Sequence, residues 1–278
     1  MTLSVVIITH NEEANIGRTL ESVRPLVSDG GEIVVVDSGS TDRTVEIAKS
    51  FGAKVFVEEW KGYAAQKNSA IDKAQRDWIL SLDADEEVSL ELVTFLTGKP
   101  RENSASFSHE WCLTIQTGSN AEKMSVPVGF YVCRKNYFLG RWLKHGGFWP
   151  DPKLRLFRRE VGKFEDRLVH EGVNVDGKVG SISTGTLIHH SYPTLTDYID
   201  HMNRYSTLGA EMVIAKSNGK AHFSIVNIVV RPLLTFVYNY FFRLGFLDGR
   251  EGLLLHLYHA VYVSWKYAKA WELSRTRQ

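Results

Sequence analysis

The chain has 278 residues, enough for one large domain or a domain with an appendage, and 44% are hydrophobic against 23% charged, the balance of a globular protein with a sizeable core. A formal net charge of +1 provides no global field for a polyanion and argues against nucleic acid as a partner. The cysteines, Cys112 and Cys133, form neither a metal-site pair nor a disulfide framework, which indicates a reducing compartment.

The N-terminal MTLSVVIITHNEE lacks a basic leader and a small-residue cleavage site, so the reading keeps the catalytic part in the cytoplasm. LSVVIIT (3–9) is a continuous β-branched run, as expected of a strand covered on both faces. The next segments alternate between helical and strand periods. Helices are predicted over 11–23 and 63–75, strands over 32–37, 53–59 and 77–85, and residues 38–52 read as a Gly turn, a Ser/Thr/Asp helix start, a helix and Gly52 as its stop. This alternation with short connections predicts a parallel sheet wound by right-handed crossovers.

In such sheets ligands bind beyond the carboxyl ends of the strands. Three strands end in polar or acidic residues: Thr9-His10-Asn11-Glu12, Asp37-Ser38-Gly39-Ser40 and Asp83-Ala84-Asp85. The topology sends all three to one rim. From about 100 to 190 the chain is irregular, rich in aromatics, Gly and Arg, with short strands among long loops. From about 195 it is helical again. Residues 195–215 are amphipathic, 223–247 are strongly apolar but interrupted by Asn227, Arg231, Pro232, Asn239 and Arg243, and 252–273 are rich in Tyr and Trp. The predicted domains are residues 1–195, in halves 1–98 and 99–195, and a helical, membrane-associating region 196–278.

Alternate residues of a strand point the same way, so Asp83 and Asp85 can aim two carboxylates at one point. Like charges that close need a cation between them, and hard Mg²⁺ or Mn²⁺ takes carboxylate oxygens together with substrate phosphates. Asp85, Glu86 and Glu87 also suit the N-terminus of a helix over SLELVTFL. Asp37 can accept from a ribose hydroxyl or a base N–H, or serve the Asp-Ser-Gly turn. Lys67 can reach a diphosphate. Glu171, after the apolar Leu168-Val169, is a candidate general base, and His189 a candidate further metal ligand. No GxGxxG or GxxxxGK[ST] pattern is present, which argues against a dinucleotide enzyme and excludes a P-loop NTPase.

SVVIITHNEE, VVVDSGSTDRT, AAQKNSAID and WILSLDADE together resemble family 2 inverting glycosyltransferases of GT-A fold. RLFRR, VHEGV, LIHHSY and RLGFLDGREGL resemble the subgroup that includes lipopolysaccharide core β-glucosyltransferases. The resemblance implies an α/β protein with a mostly parallel sheet, flanking helices and a C-terminal helical extension. It implies that Thr9, Asn11 and Glu12 line the nucleotide pocket, that Asp37 contacts the uracil or ribose, and that Lys67 and Asn68 lie near the donor. Asp83 would bind on the ribose side, and Asp85 with His189 would hold the metal. Glu171 is the favoured base, with Asp166 of the Glu165-Asp166 pair as the alternative. Arg134, Trp149 and Arg155 lie among the aromatics and arginines expected on the acceptor side, where rings suit sugar faces and guanidinium suits phosphate.

The implied reaction moves a sugar from a nucleoside diphosphate, UDP for preference, to a hydroxyl of a lipid-linked or phosphorylated glycan. Rival readings are a polyprenyl-phosphate sugar transferase and a nucleotide-sugar-binding protein without turnover. Arg231 and the amides inside 223–247 argue against a membrane span, since a central Arg costs about 2.5–3.5 kcal/mol on insertion scales. The expectation is peripheral contact with the inner face of the plasma membrane through both C-terminal helical segments, with Lys266, Lys269, Arg275 and Arg277 near anionic headgroups. A buried helical hairpin, packed on the catalytic domain or in an oligomer, is the competing reading.

Overall fold

Four strands open the fold: β1 (Leu3–Thr9), β2 (Glu32–Asp37), β3 (Lys54–Val57) and β4 (Trp78–Asp83), parallel and in the order β3-β2-β1-β4. The structure is a computed structural model and describes residues 2–98, 126–165, 172–217 and 221–276. Three helices connect these strands: α1 (Ile16–Val27), α2 (Thr44–Ser50) and α3 (Tyr63–Lys73). The two-residue period of β1 divides the core. Leu3, Val5 and Ile7 pack with Ile16, Leu20 and Val23 of α1, while Val6 packs with Ala64, Ala70 and Ile71 of α3. A strand covered on both faces needs apolar side chains on both, which explains its unbroken β-branched sequence.

The first helix starts later than its sequence period suggests, and the second follows the turn and start residues read before it. Residues 11–15 and 38–43 are loops whose Asn, Ser, Thr and Asp side chains bond backbone groups. Such local bonds compete with helix formation.

The other half of the sheet is antiparallel. Its strands are β5 (Glu86–Val88), β6 (Gly129–Phe138), β7 (Arg141–Trp142), β8 (Pro152–Arg158) and β11 (Val179–Tyr192), with a separate hairpin of β9 (Gly162–Glu165) and β10 (Gly172–Val175). The path continues β4-β8-β6-β11-β5, and β7 pairs with the end of β6. The strand β5 replaces the helix start that the acidic run suggested. Helix α4 (Leu90–Thr97) begins only after Ser89, whose hydroxyl accepts from Leu92 N–H at 3.4 Å and from Thr186 N–H at 3.0 Å.

Chain contacts divide the protein into two compact units. One holds the chain up to Arg134 together with Asp151–His189, and the other holds Lys135–Pro150 and the chain from His190 onward. In the second unit, α5 (Leu195–Lys216) starts at a capping box of Thr194 and Asp197. It packs against α7 (Gly249–Thr276) through Ala210, Ile214 and Ala270. Between them lies α6 (Arg231–Val237), flanked by wide π-type turns over Val226–Val230 and Tyr238–Phe242 and followed by a tight turn over Gly245–Asp248. Phe138, Leu143, Tyr198 and Leu255 form a second buried cluster of this unit. No helix among the described residues is long and apolar enough to cross a membrane.

Candidate active site

Register brings the predicted strand ends together. Thr9 stands opposite Asp37 of β2, and Ile8 opposite Asp83 of β4. The carboxyl ends of three adjacent parallel strands therefore share one rim.

On that rim Asp37 is fully buried. One oxygen accepts from Gly39 N–H at 3.0 Å and Ser40 N–H at 2.8 Å, and the other from Thr9 Oγ1 at 2.9 Å and the Ser40 hydroxyl. These bonds use the four acceptor positions of a carboxylate. Gly39, at φ 83°, supplies the left-handed turn that lets both backbone N–H groups reach one oxygen. Asn11, also left-handed at φ 55°, receives Thr41 N–H at 2.8 Å and donates its own N–H to Ser40 Oγ at 2.8 Å. Asp37, Thr9 and Asn11 thus fix the shape of the loop beside the rim, and a ligand reaching the Asp37 carboxylate would displace the Ser40 hydroxyl. Glu12 receives the Asn15 amide at 2.9 Å. Burial pushes its carboxyl up; the Asn15 bond opposes this, and the charges of Asp85, Asp42 and Asp83 add to it.

Asp83 lies between two cations. Lys67 Nζ is 2.9 Å from one oxygen, and Arg155 Nη2 is 2.5 Å from the other. Burial raises the Asp83 carboxyl, but Arg155 and Lys67 outweigh it and hold the group well below the usual carboxylate range. Arg155, itself buried, also reaches Glu86 Oε1 at 2.7 Å. Arg134 joins the same Glu86 oxygen at 3.2 Å and binds Asp151 at 3.0 Å. The other Glu86 oxygen accepts Asp83 N–H at 3.0 Å. Both arginines expected on the acceptor side thus pair with carboxylates, and the one they share, Glu86, is buried.

Asp85 points to a different partner. Its Oδ2 is 3.2 Å from His189 Nε2, and β11 carries His189 there by pairing it with Glu86 of β5. Burial raises the Asp85 carboxyl; the charge and hydrogen bond of His189 reverse this and leave it lowered. The turn between the two aspartates is clamped by α1, where Thr19 Oγ1 donates to Ala84 C=O at 2.6 Å and Arg18 pairs with Glu87 at 2.6 Å.

Asn68 grips the backbone of Phe164 with both ends of its amide, each at 2.9 Å. It anchors β9, the strand leading toward the segment that contains Asp166 and Glu171. Both candidate bases lie outside the described residues. In the second unit Trp149 packs edge-on against Trp142, ring centroids 5.4 Å apart.

Glu86 is the member of this network that the sequence reading left as a helix-end charge. A signal for it existed: Arg155 lies in the apolar run Leu154-Arg155-Leu156-Phe157. A guanidinium in a buried strand requires a carboxylate partner.

A sheet with a parallel first half, an antiparallel second half and an acidic rim is the GT-A fold. Residues 4–161 match the sequence profile of glycosyl transferase family 2, and the chain belongs to that family; it is a glycosyltransferase. It is similar to the lipopolysaccharide core biosynthesis glycosyltransferase LpsC of Rhizobium meliloti (strain 1021), 30% identical over 278 residues that cover 98% of this chain and 93% of that protein. A glycosyltransferase of Rickettsia typhi is 29% identical over 284 residues, 98% of this chain and 87% of that one. Among solved structures, S. aureus TarS 1–349 is 15% identical with a TM-score of 0.40, over 100% of this chain and 92% of that chain.

Proposed function

We propose that this protein transfers a sugar from a nucleoside-diphosphate sugar, UDP-linked for preference, to a hydroxyl of a lipid-linked glycan such as lipopolysaccharide core, with inversion at the anomeric carbon. The observation that carries this reading is the pairing of Asp83 with Lys67 and Arg155 beside the Asp85–His189 pair, at a rim made by three parallel strand ends.

The donor set of Asp85 and His189, one carboxylate oxygen and one imidazole nitrogen 3.2 Å apart, fits Mg²⁺ or Mn²⁺. No cluster of three or more metal-ligating side chains is present among the described residues, so substrate phosphates would complete the coordination. When bound, such an ion supplies Lewis-acid stabilisation of the leaving diphosphate. Lys67 and Arg155 are held by Asp83 as fixed cations beside the same rim, where they favour an anionic diphosphate without reorganising. Asp83 keeps its charge through its cation partners and can accept from a ribose hydroxyl. A carboxylate of the segment after β9, Glu171 ahead of Asp166, takes the proton of the acceptor hydroxyl. The acceptor oxygen bonds to the anomeric carbon as the bond to the diphosphate breaks, and the nucleoside diphosphate leaves with the electron pair. General base assistance is worth about 10²–10⁴-fold.

Support for the acceptor class comes from the near full-length similarity to LpsC. Support for peripheral membrane contact, at the cytoplasmic face, comes from the segment around α6. Leu233, Leu234, Tyr238, Phe241 and Phe242 are more than half exposed there, the last at 75%. Exposed apolar area of this kind marks an interaction surface. The α7 lysine Lys269 is engaged within its own unit by Asn203, Ser206 and Thr207. With Lys269 so engaged, the α6 segment is proposed as the main lipid contact.

The test is a transfer assay with a panel of nucleotide sugars and Mn²⁺ against truncated lipopolysaccharide core, with the product linkage read by NMR. Inverted transfer to the core hydroxyl is expected. Transfer to a polyprenyl phosphate alone would replace the acceptor, and donor binding with no turnover on any acceptor would overturn the catalytic reading.

A further inference from the structure

Lys135, Trp142 and Lys144 form a second cluster of charged and aromatic side chains, contained in the second unit. Tyr137 of β6 stands opposite Trp142 of β7. Lys135, two residues earlier on β6, shares that face and reaches Trp142 along the diagonal. Its Nζ is 4.7 Å from the indole centroid, and Lys144 Nζ is 4.5 Å from the same centroid. Trp149 adds its ring edge-on at 5.4 Å.

Two ammonium groups lie over one indole, whose quadrupole supplies only part of what a carboxylate partner would. Among the described residues neither lysine has a carboxylate within ion-pair distance. The contrast with the rim of the first unit is direct, because Arg134 and Arg155 are each matched by carboxylates there. The loop carrying Lys144 is also held in place. Buried Asp248 accepts Lys144 N–H at 3.1 Å and His145 N–H at 2.8 Å, and its other oxygen meets His145 Nδ1 at 2.9 Å. That bond leaves the His145 Nε2 for a ligand. The Trp142 indole N–H is buried with no acceptor. Unmatched cations, an aromatic pair and an unpaired donor on a pinned loop make a recognition surface for an anion attached to a sugar ring.

We propose that Lys135, Trp142 and Lys144 bind a phosphorylated saccharide, with the phosphate bridging the two ammonium groups and the sugar ring against the Trp142–Trp149 pair. The proposal rests on the glycosyltransferase reading in that this saccharide is the phosphorylated part of the acceptor. It replaces Arg134 and Arg155 with the two lysines as the groups that meet the phosphate.

The experiment titrates the full-length protein with glucose 6-phosphate, glucose and inorganic phosphate by calorimetry at low salt. The comparison is the double variant Lys135→Gln/Lys144→Gln, with UDP binding followed in parallel. Glucose 6-phosphate is expected to bind more tightly than either fragment. It should weaken roughly tenfold or more in the double variant, the effect of losing two charge-assisted hydrogen bonds. UDP binding should be unchanged. Absence of glucose 6-phosphate binding, or equal binding by the double variant, overturns the site; inorganic phosphate binding as tightly as the sugar phosphate overturns its saccharide component. Intact glucose 6-phosphate binding in a protein that transfers to no acceptor would overturn the transferase reading and leave the site standing. Unaltered transfer by the double variant to a phosphorylated lipid-linked glycan would do the reverse.

Discussion

The rim of the first unit and the α6 segment of the second treat misplaced side chains in opposite ways. At the rim, charges are buried or half-buried and nearly every one is answered: Asp83 by Lys67 and Arg155, Glu86 by Arg155 and Arg134, Asp85 by His189. Around α6, apolar side chains are exposed and unanswered, among them Val226, Leu233, Leu234 and Phe242. Burying charge is costly unless it is paired, so the first arrangement persists as a rigid, preorganised network. Exposing many apolar side chains is costly in water, which is why the second is proposed as a surface for a partner. The acidic rim and the α6 face thus differ in whether their unusual side chains are already satisfied within the chain.

The largest effect that would break this contrast is at Glu86. Glu86→Ala removes the buried carboxylate that Arg155 and Arg134 share, leaving them only Asp83 and Asp151, and should cost up to about 3–5 kcal/mol of stability. Urea unfolding measures this, and a loss under 1 kcal/mol, about the ceiling for a surface pair, would mean that the network is not a buried one. Next is Asp85→Asn, proposed to keep the fold but lose about 10³-fold in transfer, ~4 kcal/mol of transition-state stabilisation. Turnover at the wild-type rate with a chelator present would remove Asp85 from metal binding.

A third prediction tests the interior of the second unit. Burial pushes the His256 imidazole down from 6.5 to about 4; His259 lowers it further, Asp248 opposes and Arg243 adds to the lowering. A depressed imidazole contributes stability in full above the unfolded value. That contribution is lost as pH falls from about 6.5 toward 4, by at most about 3 kcal/mol. His256→Gln should flatten the stability profile in that window, and parallel wild-type and variant profiles would place the proton elsewhere. The smallest effect on stability concerns the apolar face. Leu234→Ser with Phe242→Ser should leave the melting temperature nearly unchanged while weakening association with anionic vesicles, each by about 1.5–3 kcal/mol at full insertion. Vesicle association that is absent in the wild type would sharpen the alternative, a second protein chain on that face.

Much of the site was legible because it sits where local periods end. The apolar runs of β1, β2 and β4 located three strand carboxyl ends, and parallel winding placed Thr9, Asp37 and Asp83 side by side. The role of Asn68 was less legible, because its amide closes on the backbone of Phe164, far along the chain. The base candidates Asp166 and Glu171 fall outside the described residues and stay a proposal from the sequence.

The sequence by itself determined the alternation of strand and helix, the parallel first half and the acidic rim, because apolar periodicity and turn chemistry act over a few residues. Only the tertiary structure decided that Glu86 lies in a short strand and not a helix start, that Arg155 and Arg134 close on it, and that β11 carries His189 to Asp85. These pairings join segments distant in sequence, and no local pattern records which buried cation will meet which carboxylate. That choice follows from strand order and register, which the whole sheet sets by burying its two faces at once.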